Sequence, residues 1–133
     1  MTQTDSKNSN WISATVLSGD KTGRTINSPT INLNPKLMPP PEQEMPGVYG
    51  CLVKVDKNIY KGALYFGPRL VKNETENVLE IFILDFSENI YDQTVLFRVG
   101  LFIRSPKNFD SLEKMRDTIA ADVARIEKEI RLP

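Results

Sequence analysis

Thr30 and Asn32 place a hydroxyl and an amide two positions apart, directly after Pro29. On an extended chain that spacing points both side chains to the same side. Pro29 fixes its own φ and holds Ser28 extended, so the backbone carrying the pair is stiff. Both side chains end in hard oxygens, which suits a magnesium ion that keeps several waters and borrows phosphate oxygens. The same Pro-Thr-x-Asn text also serves as a turn, with Thr and Asn bonding to nearby backbone groups. Glu80 is the second candidate, because Val78 to Leu84 is apolar at every other position. A carboxylate with such neighbours faces water at a rim, meets a cation or donor, or has its pKa raised. Held in a partly desolvated pocket, it can serve as a general base. The third candidate is Ser18 to Arg24, where Gly19, Lys21, Gly23 and Arg24 follow a strand-like run. A loop with glycines and cations can wrap phosphates, although this one lacks the Gly-Lys-Ser/Thr end of a Walker loop and also reads as a hairpin turn.

Composition narrows the chemistry further. The chain has 133 residues, a length that fits one domain with one core. It has no histidine, which excludes Ser-His-Asp and Cys-His machinery and any histidine-held zinc. A base must therefore be a carboxylate, lysine, tyrosine or the single cysteine, Cys51. Cys51 lies in an apolar strand-like run and is expected to be a buried thiol in a reducing compartment. Lysine plus arginine equals aspartate plus glutamate, for a net charge of zero, so no nucleic-acid partner is expected. No apolar run reaches the length of a membrane span, and Met1 to Asn10 lacks the apolar stretch of a signal peptide, so the expected location is cytoplasmic.

The elements that must position these residues are mostly strands. Residues 1–10 are expected to be a disordered leader, and 11–133 one domain. Trp11 to Leu17 alternates, with Ile12, Ala14 and Val16 on one side. Asn34 to Pro46 holds five prolines and reads as a rigid surface loop or a polyproline ligand centred on Pro39-Pro40-Pro41. Val48 to Val55 and Ile59 to Phe66 form a hairpin around Asp56-Lys57-Asn58. Val78 to Leu84 is expected to be covered on both faces. Thr94 to Ile103 puts Val95, Phe97, Val99, Leu101 and Ile103 on one face. From Leu112 the period changes: Met115, Ile119, Val123, Ile126 and Ile130 fall at helical steps, behind Asp110 as N-cap and Glu113 as its capping-box partner. One helix after several antiparallel strands predicts a small closed or nearly closed barrel with the helix packed across it.

The pieces in order, Gly23-Arg24, Pro29-Thr30-Ile31-Asn32-Leu33, Gly47-Val48-Tyr49, Gly62, Gly67, Val78-Leu79-Glu80, Leu84-Asp85-Phe86 and Phe109-Asp110-Ser111-Leu112, resemble a riboflavin kinase. The likeness covers residues 12 to 130 and extends to the kinase module of bifunctional bacterial FAD synthetases. It implies a mainly β fold, a six-stranded antiparallel, Greek-key-like barrel with a C-terminal α-helix. It also implies ATP-dependent phosphorylation of riboflavin to FMN. By position, Thr30 and Asn32 would bind Mg2+. Gly19, Lys21, Gly23, Arg24 and Pro29 would belong to the nucleotide site, Glu80 would take the hydroxyl proton, and Phe109 and Asp110 would close the flavin pocket. Partners would be riboflavin/FMN and ATP/ADP, and the chain a monomer unless part of a longer bifunctional one. Asn27 and Ser28 replace the usual Gly-aromatic pair, Ile31 replaces a small residue, and Asp20 brings a negative charge near ATP. These departures motivate an alternative, a catalytically impaired homologue that binds flavin or nucleotide without turnover. A third reading is an interaction module presenting the proline loop.

Overall fold

Alternating apolar residues arrange six strands into one antiparallel sheet: β1 (Ile12–Thr15), β2 (Thr30–Leu33), β3 (Gly47–Val55), β4 (Asn58–Pro68), β5 (Asn77–Ile83) and β6 (Thr94–Arg104). The spatial order is β1-β6-β3-β4-β5-β2. The computed structural model describes residues 11–17, 30–69 and 75–133. The expected leader and Gly19, Lys21, Gly23, Arg24 and Pro29 lie outside the described residues, as do Asp20, Asn27 and Ser28. The two edge strands approach each other through one bridge, in which the Leu17 amide donates to the Asn32 carbonyl at 2.8 Å. That contact curls the sheet into the expected barrel-like form, with the C-terminal helix α2 (Leu112–Glu129) outside it. Among the described residues, no helix is long and apolar enough to cross a membrane.

The inward face is the core: Val16, Tyr49, Cys51, Val53, Leu64, Phe66, Leu79, Ile81, Ile83 and Phe97 are fully buried or nearly so. Cys51 is a free thiol with no exposed surface, and burial pushes its pKa far above the ordinary value, so it is chemically quiet. β6 departs from simple alternation. Its pairing with β3 shifts register twice, after Cys51–Val99 and again between Tyr49–Phe102 and Val48–Arg104. These irregularities turn Phe102 onto the core, where it meets Tyr49 edge-on at 5.2 Å, a place the alternation assigned to Leu101 and Ile103.

Two further expectations change. Pro40 and Pro41 open a single helical turn, α1 (Pro40–Gln43), tied down by the Gln43 side chain, whose Nε2 donates to the Pro35 and Met38 carbonyls at 3.2 and 2.9 Å. The proline stretch is thus a folded connection and not an extended polyproline ligand, because prolines suit the first helical positions where no N–H is needed. The N-cap of α2 is Ser111, whose hydroxyl accepts from the Lys114 amide at 3.2 Å. Asp110, one residue earlier, pairs instead with Lys114 Nζ at 3.3 Å on the surface.

The far end of α2 sits on bare backbone. Gly50 and Gly100 lie under it, and a Cβ on Gly50 would come within 2.8 Å of Ile130 Cγ1 and 3.3 Å of Ile126 Cγ1. Lys61 Nζ adds a bond to the Glu127 carbonyl at 2.8 Å. Gly50→Val is therefore expected to destabilise the fold by about 1–3 kcal/mol through overpacking. Urea denaturation reads this as a lower midpoint at an unchanged slope.

Candidate active site

Strand pairing decides which side chains meet. Asn32 lies directly opposite Glu80 and Thr30 opposite Phe82 on β2 and β5, while Tyr65 on β4 faces Glu80 from the other side. Between them Ile31, Leu33, Leu79 and Ile81 point inward and are at most 4% exposed. Period-two alternation therefore puts Thr30, Asn32, Tyr65, Glu80 and Phe82 together on the outward face. The metal candidates and the base candidate share one side of one sheet. β5 is consequently not covered on both faces, since its outward residues Val78, Glu80 and Phe82 are only half-buried.

That outward face forms one wall of a cleft of about 530 Å3, and the first half of α2 forms the other. Such a volume lies in the ordinary range for small-ligand sites, roughly 300–1,000 Å3. The sheet supplies Val48, Ala63 and Phe82, the helix Met115 and Ile119, and the loop before the helix Phe109. The lining thus also explains an oddity of the helix. Ile119 is 42% exposed although it belongs to the apolar stripe, because it lines the open cleft before the stripe reaches the buried Ile126. Thr30, Tyr65, Arg69 and Glu80 gather on the polar part of the lining, with Arg104, Lys107 and Asp122 alongside. Asn32 is not part of the lining and stands beside it, opposite Glu80.

Four charged residues of the cleft form two ion pairs. Arg69 Nε and Nη2 donate to Glu80 Oε2 at 3.1 and 2.7 Å, with both side chains 26% exposed. The carboxylate inside an apolar strand has therefore met a cation. Arg104 donates through Nε to both oxygens of Asp122 at 3.0 Å and through Nη2 to Oδ2 at 2.9 Å, tying β6 to α2 across the cleft. Asp122 is the one buried charged residue among those described. Phe109 lies with its ring centroid 5.8 Å from the Arg104 guanidinium carbon and 5.8 Å from Lys107 Nζ. The Tyr65 hydroxyl donates to the Pro68 carbonyl, and its pKa is raised by burial first and by Glu80 second, with Arg104 opposing.

Of the residues singled out from the sequence, Thr30, Glu80 and Phe109 line the cleft, and Asn32 stands at its side. Asp110 does not line it; it borders a smaller neighbouring hollow of about 310 Å3 and turns to Lys114. Arg69, Tyr65 and Arg104 were missed. Tyr65 was within reach of the alternation that located Glu80. Arg69 follows the Gly67-Pro68 break, where no periodicity survives to place a side chain.

The fold and the cleft define a small β-barrel domain that presents one mainly apolar recess beside a cluster of hard oxygens and paired charges. The chain belongs to the riboflavin kinase family, since the family model described as "Flavokinase: Riboflavin kinase" matches residues 7–130. It is 32% identical over 122 residues to the RNA-binding riboflavin kinase RibR of Bacillus subtilis (strain 168), a match covering 91% of this chain and 51% of that protein. It is 35% identical over 116 residues to the bifunctional riboflavin kinase/FMN adenylyltransferase of Pseudomonas fluorescens, covering 85% of this chain and 36% of that one. The crystal structure of riboflavin kinase from Trypanosoma brucei shares the fold, with a TM-score of 0.64 at 21% identity over 92% of this chain and 80% of that one. The chain spans about half or less of the length of these two sequence relatives.

Proposed function

We propose that the chain transfers the terminal phosphoryl group of ATP to the 5′-hydroxyl of riboflavin, giving FMN and ADP. One observation carries this reading beyond family membership. Thr30 and Glu80 lie on adjacent strands at the polar part of an apolar cleft of flavin-compatible size, with Asn32 beside it directly opposite Glu80. The apolar walls suit the flat ring system, which gains by leaving water. The ribityl chain then runs toward Thr30 and Glu80. Glu80 takes the proton of the 5′-hydroxyl as its oxygen bonds to phosphorus and the bond to the ADP oxygen breaks. Such a transfer depends mainly on in-line positioning and on stabilising charge at the phosphate oxygens.

Among the described residues, no group of three or more histidines, cysteines or carboxylates could hold a metal. Thr30 and Asn32 provide two neutral oxygens on one face, a donor set that fits magnesium bound mainly by water and phosphate. When bound, magnesium supplies positive charge at the transferring phosphate. Gly19, Lys21, Gly23, Arg24 and Pro29 keep their assignment to the nucleotide site on resemblance. Phe109 closes one side of the flavin cleft, and Asp110 is assigned to the adjoining surface. The expectation of no nucleic-acid partner is not carried forward, because one relative matched over most of this chain is an RNA-binding kinase.

Turnover tests the proposal. Riboflavin, ATP and magnesium incubated with the protein are expected to yield FMN, and chelating the magnesium is expected to stop it. Saturable flavin binding with no FMN under any metal condition would instead establish the impaired homologue suggested by Asp20, Asn27 and Ser28.

A further inference from the structure

Arg69 binds Glu80 in an unusual way for a pair that only neutralises charge. A guanidinium facing a carboxylate commonly spreads its bonds over both oxygens, yet here Nε and Nη2 both donate to Oε2. Among the described residues, no hydrogen bond falls on Oε1. The backbone that delivers Arg69 is itself fixed. Gly67 takes φ 146°, a conformation that favours glycine, and a Cβ there would lie 3.0 Å from the Tyr65 hydroxyl and 3.1 Å from Pro46 Cβ. Pro68 follows with its restricted φ, and its carbonyl accepts from the Tyr65 hydroxyl. Tyr65 in turn stands directly opposite Glu80 on the neighbouring strand. Glu80, Tyr65, Pro68 and Arg69 thus lie together on the cleft wall, joined by the Arg69–Glu80 and Tyr65–Pro68 bonds.

We propose that Arg69 is a positioning residue for phosphoryl transfer, gripping Glu80 by Oε2 so that Oε1 is the oxygen that receives the hydroxyl proton. The inference rests on the kinase reading and adds to it a residue that acts through Glu80. Losing the grip leaves the base chemically intact and spatially loose, which lowers the rate of the bound complex and leaves substrate affinity alone.

The test is steady-state kinetics of FMN formation for wild type, Arg69→Met, Arg69→Lys, Glu80→Gln and the Arg69→Met/Glu80→Gln double variant, with melting curves for each. Arg69→Met is expected to lower kcat roughly ten- to a hundredfold, with both KM values and the melting temperature near wild type. Arg69→Lys restores part of the loss, since it keeps the charge without the fork. In the Glu80→Gln background Arg69→Met adds almost nothing, because the two residues act as one unit. A wild-type kcat in Arg69→Met overturns the proposal and leaves the kinase reading standing. A loss confined to the KM for ATP and fully multiplicative with Glu80→Gln overturns it as well, and makes Arg69 a nucleotide contact. A large fall in melting temperature for both Arg69 variants reduces the residue to a structural tie. Absence of FMN with the wild-type protein removes the parent reading and this one together.

Discussion

Glu80→Gln is expected to lower kcat for FMN formation by roughly 10²–10⁴, the usual worth of a positioned general base. Glutamine keeps the shape and still accepts a hydrogen bond from Arg69, but it cannot take a proton. The Arg69–Glu80 pair is about one-quarter exposed on each side, and partly solvated pairs contribute about 1 kcal/mol or less to stability. The melting temperature should therefore move by only a few degrees while the rate collapses. Parallel kinetics and thermal denaturation separate the two effects. A change in kcat of less than threefold would mean that the hydroxyl proton goes elsewhere, and the assignment of Glu80 would fail.

The second large effect is on the frame of the cleft. Asp122→Ala leaves Arg104 without the three bonds of 2.9 to 3.0 Å that hold β6 to α2. Asp122 is 7% exposed and the Arg104 side chain 22%. Removing one partner of a fully buried pair costs about 3–5 kcal/mol; partial solvent access for Arg104 brings the expected loss here to about 2–3 kcal/mol. For a chain of this length that corresponds to a fall in melting temperature on the order of 10 °C. Riboflavin affinity should fall too, because Met115 and Ile119 ride on the same helix. Replacing both partners, as Arg104→Met with Asp122→Leu, should recover much of the stability by removing the stranded charge. Retention of the wild-type melting temperature by Asp122→Ala would show that the apolar seat at Ile126 holds the helix alone.

What the sequence disclosed follows from which physical signals are periodic. The strands of the barrel and the shared face of Thr30 and Asn32 are legible because alternation has one geometric meaning. The same rule makes Glu80 conspicuous, as the sole polar residue in an apolar strand. It cannot say which strand lies alongside, so the register that sets Asn32 against Glu80 needed coordinates. Alternation failed along β6, where two register shifts bring Phe102 to the core, because a bulge adds residues without leaving a compositional mark. The cap of α2 moved from Asp110 to Ser111 because both residues can cap and adjacent candidates are not separated by type. The helical stripe was legible as apolar, but not that its first half faces an open cleft. Arg69 was illegible for a different reason. Its position depends on a glycine–proline turn, and a turn redirects the chain in a way that no period records.

The central claim is spatial: riboflavin enters between the outward face of β4 and β5 and the first half of α2. Riboflavin titrated into isotope-labelled protein and followed by amide NMR shifts tests this most directly. The account predicts saturable shifts at Ala63, Tyr65, Glu80 and Phe82 on the sheet and at Met115 and Ile119 on the helix, with Trp11, Ser13 and Arg98, which do not line the cleft, unmoved. Shifts confined to Trp11, Ser13 and Arg98, with the cleft residues silent, would contradict it.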